Sequence, residues 1–191
     1  MKVLILNGMR NQTPTMDSLL NEIVESMNNK GWDVESVVLR DKKITPCQGC
    51  FDCWVKTPGV CKTEDYGREI LKKIIESNLI IQVTPITFGG YSSELKKVLD
   101  RSIPELFPFF KYFDGEIHHE HRYKNRASII VLGFLKDDDI KKEDVFKELV
   151  YRNSLNFGAP LHKSIIYKES DHSSRFLKDF NSLLSEVENL S

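Results

Sequence analysis

Leu79-Ile80-Ile81-Gln82-Val83, running directly into Thr84-Pro85-Ile86-Thr87-Phe88-Gly89-Gly90, is the stretch on which the fold turns. The first five residues are almost continuously apolar, the pattern of a strand covered on both faces and not of one with a wet side. Pro85 and the pair Gly89-Gly90 then break the strand into a loop. A strand covered on both faces needs a layer above and below it, and its neighbours supply helices. Ile70, Leu71, Ile74 and Ile75 before it, and Leu95, Val98 and Leu99 after it, recur at helical spacing.

The same alternation continues outward. Met1 to Gly8 opens as a first strand, and Met16, Leu19, Leu20, Ile23, Val24 and Met27 form one apolar stripe of a helix that Lys30-Gly31 ends. Trp32 to Leu39 reads as a second, β-branched strand, Ala127 to Gly133 as a fourth and Ser164 to Tyr167 as a fifth. Helices through Val145, Phe146, Leu149 and Val150, and through Phe176, Leu177, Phe180, Leu183, Leu184 and Val187, complete the series. Strict alternation implies a parallel sheet with right-handed crossovers, hence an α/β doubly wound three-layer sandwich. Five such units match the flavodoxin-like strand order 2-1-3-4-5. Residues 1–191 then form one domain carrying two irregular segments, a loop over 41–64 and an insertion over 104–126.

Composition sets the outer limits. At about 150 residues per domain, 191 residues are one domain. With 40% hydrophobic and 29% charged residues the chain is an ordinary globular protein able to build a core. Lys and Arg total 27 against 28 Asp and Glu, so no global field draws in nucleic acid or an anionic membrane. The opening apolar run is too short for a secretion signal and no stretch reaches the 18 or so residues needed to cross a bilayer, which predicts a cytoplasmic protein with reduced thiols. Cys47, Cys50, Cys53 and Cys61 all fall in the 41–64 loop. Four thiols crowded into one loop of a reducing compartment point to metal binding or redox chemistry more than to disulfides.

In a doubly wound sheet the ligand lies beyond the carboxyl ends of the strands, where the strand order reverses. Two loops flank that point. In Asn7 to Thr15, Thr13-Pro14-Thr15 stands before a helix, where hydroxyls and backbone N–H groups meet the positive end of the helix dipole and Arg10 adds a charge-assisted donor. Helix capping by Thr13 or Thr15, with Pro14 in the first turn, explains the same residues without a ligand. In Thr84 to Ser92 the glycines let a flat molecule approach the backbone, although a plain Gly-rich turn has the same composition. No G-x-G-x-x-G, Walker lysine or nucleophile-elbow pattern is present, so dinucleotide-fold, nucleoside-triphosphatase and acyl-transfer readings lack support.

Three segments together resemble the NADPH-dependent FMN reductase-like branch of the flavodoxin superfamily and, within it, the iron-sulfur flavoproteins. They are Leu6-Asn7-Gly8 with Arg10 and Thr15; Pro85-Ile86-Thr87-Phe88-Gly89 with Leu95-Lys96 and Leu99-Asp100-Arg101; and Pro46-Cys47-Gln48-Gly49-Cys50-Phe51-Asp52-Cys53 with Cys61. The likeness covers about the first 105 residues well. It implies FMN contacts at Met9, Arg10, Asn11, Gln12, Thr13, Pro14, Thr15 and Met16 for the phosphate, and at Pro85, Ile86, Thr87, Phe88, Gly89 and Gly90 for the isoalloxazine. This chain departs from the family's usual first loop, Gly-Ser-x-Arg with a later Gly-Asn-Thr, by placing Met9 after Gly8 and Thr13-Pro14-Thr15 at the second segment.

The spacing C-x2-C-x2-C-x7-C is similar to the compact motif with which cluster-binding members hold a [4Fe-4S] centre. Three thiolates at short intervals can reach three corners of a cubane and a fourth, after a longer loop, the last. Zinc and free or redox-paired thiols remain alternatives, zinc usually preferring two well-separated C-x2-C pairs. The resemblance implies an oxidoreductase or electron-transfer flavoprotein whose chemistry FMN carries, with no catalytic side chain required. Its electron source is NAD(P)H, or a ferredoxin-like protein if a cluster is present. Rival readings are an NAD(P)H-dependent FMN or quinone reductase without a cluster, and a flavodoxin-like scaffold with structural zinc. Partners are a small-molecule donor or acceptor and further copies of the chain in a homodimer or homotetramer. Phe107, Pro108, Phe109, Phe110, Tyr112 and Phe113 fit a core plug, a subunit contact or a flavin cover, the resemblance favouring the last two. Glu116, His118, His119, Glu120 and His121 read as a solvated loop tip or a lip over the flavin, because adjacent side chains diverge and seldom converge on a metal.

Overall fold

The structure, a computed structural model, describes residues 1–11, 13–113, 115–136 and 138–189, the side chain of Thr15 excepted. In chain order its elements are β1 (Lys2–Asn7), α1 (Pro14–Asn28), β2 (Asp33–Val38), α2 (Asp52–Val55), α3 (Tyr66–Glu76), β3 (Leu79–Pro85), α4 (Ser93–Asp100), β4 (Leu106–Phe113), β5 (Glu116–His121), β6 (Ser128–Leu135), α5 (Ile140–Phe157), β7 (His162–Lys168) and α6 (Ser173–Glu188). Five strands form one sheet in the order β2-β1-β3-β6-β7, every neighbouring pair parallel. Counted within the sheet this is 2-1-3-4-5, the order expected from the alternation.

The central strand explains the layers. Leu79, Ile81 and Val83 of β3 point into a core closed by α1 and α6 through Leu19, Ile23, Phe176, Phe180 and Leu184. Ile80 points into the opposite core, closed by α3, α4 and α5 through Ile70, Leu95, Phe146 and Val150. Each of these side chains is almost fully buried and contributes about 1.5–3 kcal/mol of transfer free energy. The two faces therefore hold helices of comparable weight, as the continuous apolar run requires.

Residues 104–126 are not an irregular insertion. They hold an antiparallel hairpin, β4 paired with β5, turning at Gly115 with φ +79°. Pro108 sits inside β4 and the register shifts between Leu106 and Phe110. A two-stranded ribbon tolerates a proline whose missing N–H faces away from its partner, which is why a sequence pattern punctuated by prolines still forms strands. The histidine segment is β5 and not a loop tip. Phe109, Phe110, Tyr112 and Phe113 are exposed, so the aromatic patch is no core plug.

Candidate functional site

The loop after β1 is held from three sides. The Asn7 side chain accepts the Met9 N–H at 3.0 Å, and the Gly8 N–H donates to the Val83 carbonyl at 2.7 Å, tying this loop to the end of β3. A Cβ on Gly8 would stand 2.8 Å from Ser92 Oγ and 2.9 Å from Leu95 Cβ, closer than real contacts allow. Met9 turns its side chain into the core and offers the loop surface only its backbone, whose carbonyl accepts from Arg40 Nη1 at 3.1 Å. Arg10 is exposed and reaches across the mouth to donate to Ser93 Oγ, the first residue of α4. Asn11 is exposed beside it. Thr13 caps α1, its Oγ1 accepting from Met16 N at 3.3 Å, with Pro14 as the first helical residue. Gln12 and the Thr15 side chain lie outside the described residues.

The loop after β3 is a tight turn. Thr87 and Gly90 exchange two backbone hydrogen bonds of 2.9 Å, and the two residues between them, Phe88 at φ +52° and Gly89 at φ +75°, are both left-handed. This is the geometry of a type I′ turn, which admits glycine readily and a bulky aromatic only at a cost of about 1–2 kcal/mol. Phe88 is nonetheless there and 96% exposed, so packing against the described residues does not repay that strain. Gly89 is pressed onto α5, where a Cβ would come within 2.8 Å of Val145 Cγ1. Ile86 is buried, and Thr84 Oγ1 accepts from Ser92 N at 2.8 Å to close the base of the loop. The fold thus brings the two loops side by side at the carboxyl edge of β1 and β3.

Cysteine loop geometry follows from backbone handedness. Gly49 at φ +63° and Phe51 at φ +54° flank Cys50, and these reversals curl the chain so that Cys47, Cys50, Cys53 and Cys61 line a single recess with Lys62 and Arg101. Burial pushes the Cys53 thiol up, and the neighbouring Cys61, Cys47 and Cys50 add to the rise, as crowded like charges do. The cavity itself is 20 Å³, room for about one water. Among the described residues no three His, Cys, Asp or Glu side chains are arranged to hold a single metal ion. The donors match four-thiolate ligation in kind and number, and the 20 Å³ recess as it stands has no room for a cubane, so the loop would have to rearrange to hold one.

What fixes this loop is a buried ion pair. Asp65 caps α3, accepting from Gly67 N at 2.9 Å, and also accepts from Thr45 N at 2.7 Å. Arg101, at the end of α4, pairs with both Asp65 oxygens at 3.0 and 3.1 Å and donates to the carbonyls of Thr45 and Thr63. Those carbonyls are the two stems of the cysteine loop. Burial alone would raise the Asp65 carboxyl, but the guanidinium and the Thr45 and Gly67 donors hold it at about 2. Arg68 adds a 2.6 Å bond from Nε to the Cys61 carbonyl.

Comparison with known proteins now bears on these loops. Residues 1–131 match the family described as NADPH-dependent FMN reductase. The chain belongs to that family. Within the NADPH-dependent FMN reductase family, an iron-sulfur flavoprotein of Methanocaldococcus jannaschii is 38% identical over 104 residues, 54% of this chain and 53% of the relative. One of Archaeoglobus fulgidus is 34% identical over 102 residues, 53% and 49%. The chain thus spans about half the length of the curated relatives it matches. Among solved structures, an NAD(P)H:quinone oxidoreductase from Methanothermobacter marburgensis superposes with TM-score 0.68 at 15% identity, covering 95% of this chain and 94% of that one. An FMN-dependent NADH-azoreductase from Bacillus anthracis, solved with FMN, superposes with TM-score 0.65 at 18% identity over 100% and 99%. At such identities the superpositions show the fold, a flavodoxin-like sandwich.

Against that family frame, the residues sequence reading missed are those that hold the loops. Arg101 stands in the Leu99-Asp100-Arg101 segment that carries the family resemblance, but the sequence gives it no role, its signal being a charge two residues past the last apolar residue of a helical stripe. Asp65, directly before the helix that carries Ile70 and Leu71, is not singled out by the sequence reading, and its capping of α3 is seen in the structure. Their pairing across 36 residues is a product of tertiary structure.

Proposed function

We propose that this chain is an FMN-dependent oxidoreductase, with flavin mononucleotide held between the loops after β1 and β3. The observation that carries the reading is Phe88, a 96% exposed aromatic held in a left-handed turn whose cost its packing against the described residues does not offset, at the switch point of the sheet. A strained, outward-facing ring at the carboxyl edge of the sheet suits a flat heterocycle. The open first turn of α1 with Arg10 suits its phosphate. When bound, FMN supplies hydride and one-electron chemistry, and the protein supplies position and electrostatics. Gly8 keeps the two loops in contact, Thr13 leaves α1 capped, and Arg10 closes the mouth against Ser93.

In the finer reading, Cys47, Cys50, Cys53 and Cys61 hold a [4Fe-4S] cluster, for which four thiols around one recess, with Arg101 and Lys62 beside them, are the support. Such a cluster supplies single electrons, which favours a ferredoxin-like donor. Without it, NAD(P)H is the donor. The exposed aromatic row of β4 supports assembly as a homodimer or homotetramer. The test is an absorbance spectrum of protein purified without oxygen, with iron and zinc assayed on the same sample. Flavin bands with about four irons per chain sustain the full reading. Flavin bands without iron sustain the reductase alone, to be followed by NAD(P)H oxidation with a quinone acceptor. No flavin after FMN supplementation, together with bound zinc, overturns the proposal.

A further inference from the structure

The four thiols of the cysteine loop are not equivalent. Cys50 is exposed, whereas Cys53, the second residue of α2, is only 8% exposed. Phe51, left-handed at φ +54°, turns the chain between them, and both thiols line the same recess. Their spacing, Cys50-Phe51-Asp52-Cys53, is the C-x-x-C step of dithiols that open and close.

A fixed cation attends the exposed member. The Lys62 ammonium reaches the Cys50 sulfur and is held there by Asp52 Oδ2 at 3.2 Å, while Lys56 takes the other oxygen of that carboxylate at 3.3 Å. An accessible sulfur beside a positive charge is the setting in which attacking cysteines occur. Cys47 and Cys61 are half-buried and lie toward Arg101, whose guanidinium is already taken up by Asp65 and by the Thr45 and Thr63 carbonyls. The size of the recess then separates the chemistries open to the thiols. At 20 Å³ it lacks the room of a cubane, whereas a sulfur–sulfur bond needs no added room, because it draws together two atoms that already line the space.

We infer that in the metal-free chain Cys50 and Cys53 form a thiol–disulfide couple that exchanges with small-molecule disulfides, Cys50 attacking and Cys53 resolving. In the first step the Cys50 sulfur attacks one sulfur of the small disulfide. A mixed S–S bond forms, the original S–S bond breaks, and the departing sulfur leaves as a thiol with the proton from Cys50. In the second, the Cys53 sulfur attacks Cys50, the mixed bond breaks, and a second small thiol leaves with the proton from Cys53. Two protein thiols have lost two hydrogens and two electrons, and one small disulfide has become two thiols. The closed pair withdraws two of the four thiolate donors, so the oxidised loop cannot ligate a metal with all four. This couple uses neither loop of the flavin reading, and flavin binding succeeds or fails independently of it.

The experiment uses the full chain, reduced, freed of iron and zinc with a chelator and checked for its fold by circular dichroism. It is incubated without oxygen with glutathione disulfide, alkylated with iodoacetamide and digested with trypsin. Cleavage after Lys43, Lys56 and Lys62 places Cys47, Cys50 and Cys53 in the peptide 44–56 and Cys61 in the peptide 57–62. Expected is a peptide 44–56 lighter by two hydrogens with Cys47 alone alkylated, and Cys61 alkylated in its own peptide. Trp54 follows Cys53 and lies 4.9 Å from both Phe51 and His119, so its emission changes as the bond closes, while Trp32, buried in the α1-α6 core, is unaffected. Cys53→Ser stops the reaction with glutathione on Cys50, Cys50→Ser prevents it, and Cys61→Ser leaves the disulfide in place. An unfolded metal-free chain, no reaction, a bond joining the two peptides, or a disulfide that still forms in Cys50→Ser would each overturn the inference.

Discussion

At the scale of single residues, Phe88 and Gly8 make opposite demands on the backbone. Phe88 pays for a left-handed conformation that glycine adopts freely, so Phe88→Gly should raise stability by about 1 kcal/mol, or about 2–4 °C in Tm for a chain of this length. The same change should weaken FMN binding, because the exposed ring is lost. A calorimetric scan and a flavin titration on one preparation check both, and a variant that binds FMN as tightly as the parent would remove the ring from the site. Gly8→Ala should do the reverse of the first effect. Its Cβ meets Ser92 Oγ, Leu95 Cβ and the Val83 carbonyl all at 3.0 Å or less, and overpacking of this sort costs about 1–3 kcal/mol. Since the clash separates the two loops, denaturant midpoint and FMN affinity should fall together.

At the scale of elements, the cysteine loop is curled by its own left-handed residues and then clamped by α3, which follows it, and by the end of α4, which holds its two stems. Asp65 at the start of α3 and Arg101 at the end of α4 are each 3% exposed at the side chain. Replacing Arg101 by Met strands a buried carboxylate and should cost about 3–5 kcal/mol, whereas the double change Asp65→Leu with Arg101→Met should recover much of that. Urea unfolding of the two variants at neutral pH makes the comparison, and a double variant no better than the single would show that the pair is not the clamp. The loop should also loosen in the double variant, seen as faster trypsin cleavage after Lys62, because Thr45 and Thr63 lose the guanidinium that holds both stems. The hairpin offers a second test at this scale. Changing Phe110 and Tyr112, 71% and 73% exposed, to serine should leave Tm nearly unchanged but lower the sedimentation mass if β4 lies between subunits.

At the scale of the whole molecule, three buried groups set how stability varies with pH. Asp65, held at about 2 against an ordinary 3.8, contributes about 2 kcal/mol that is present above pH 3.8 and lost as pH falls through about 2. Burial, with Arg126 and Lys111 nearby, pushes His121 down to about 4, so stability also falls as pH drops from 6.5 toward 4, where only the unfolded chain takes the proton. Glu105 acts in the other direction. Its carboxyl, at about 8, keeps its proton in the folded state while the unfolded chain loses it above 4.5, so stability declines from pH 4.5 to about 8. Between 4.5 and 6.5 the last two slopes oppose each other, and a plateau is expected there, with decline on both sides. Glu105→Gln should abolish the alkaline decline, worth on the order of 2 kcal/mol after allowance for partial exposure. Thermal scans from pH 3 to 9 read this directly, and an unchanged alkaline limb in that variant would assign the decline to another group. The layered sheet, its strand order and the two switch-point loops were legible along the chain, because burial on both faces of β3 and helical spacing on either side of it are local patterns that a single topology satisfies. The four cysteines were legible as a set for the same reason, being close in sequence. The hairpin was hidden because Pro108 and the run of histidines mask the two-residue period, which only pairing across the turn restores. The Asp65–Arg101 clamp belongs to the tertiary structure alone, because it depends on the distance between two residues 36 apart in sequence, which neither segment encodes. The strain at Phe88 is local, but only the folded turn between Thr87 and Gly90 shows it, since the sequence alone gives no sign of φ at Phe88.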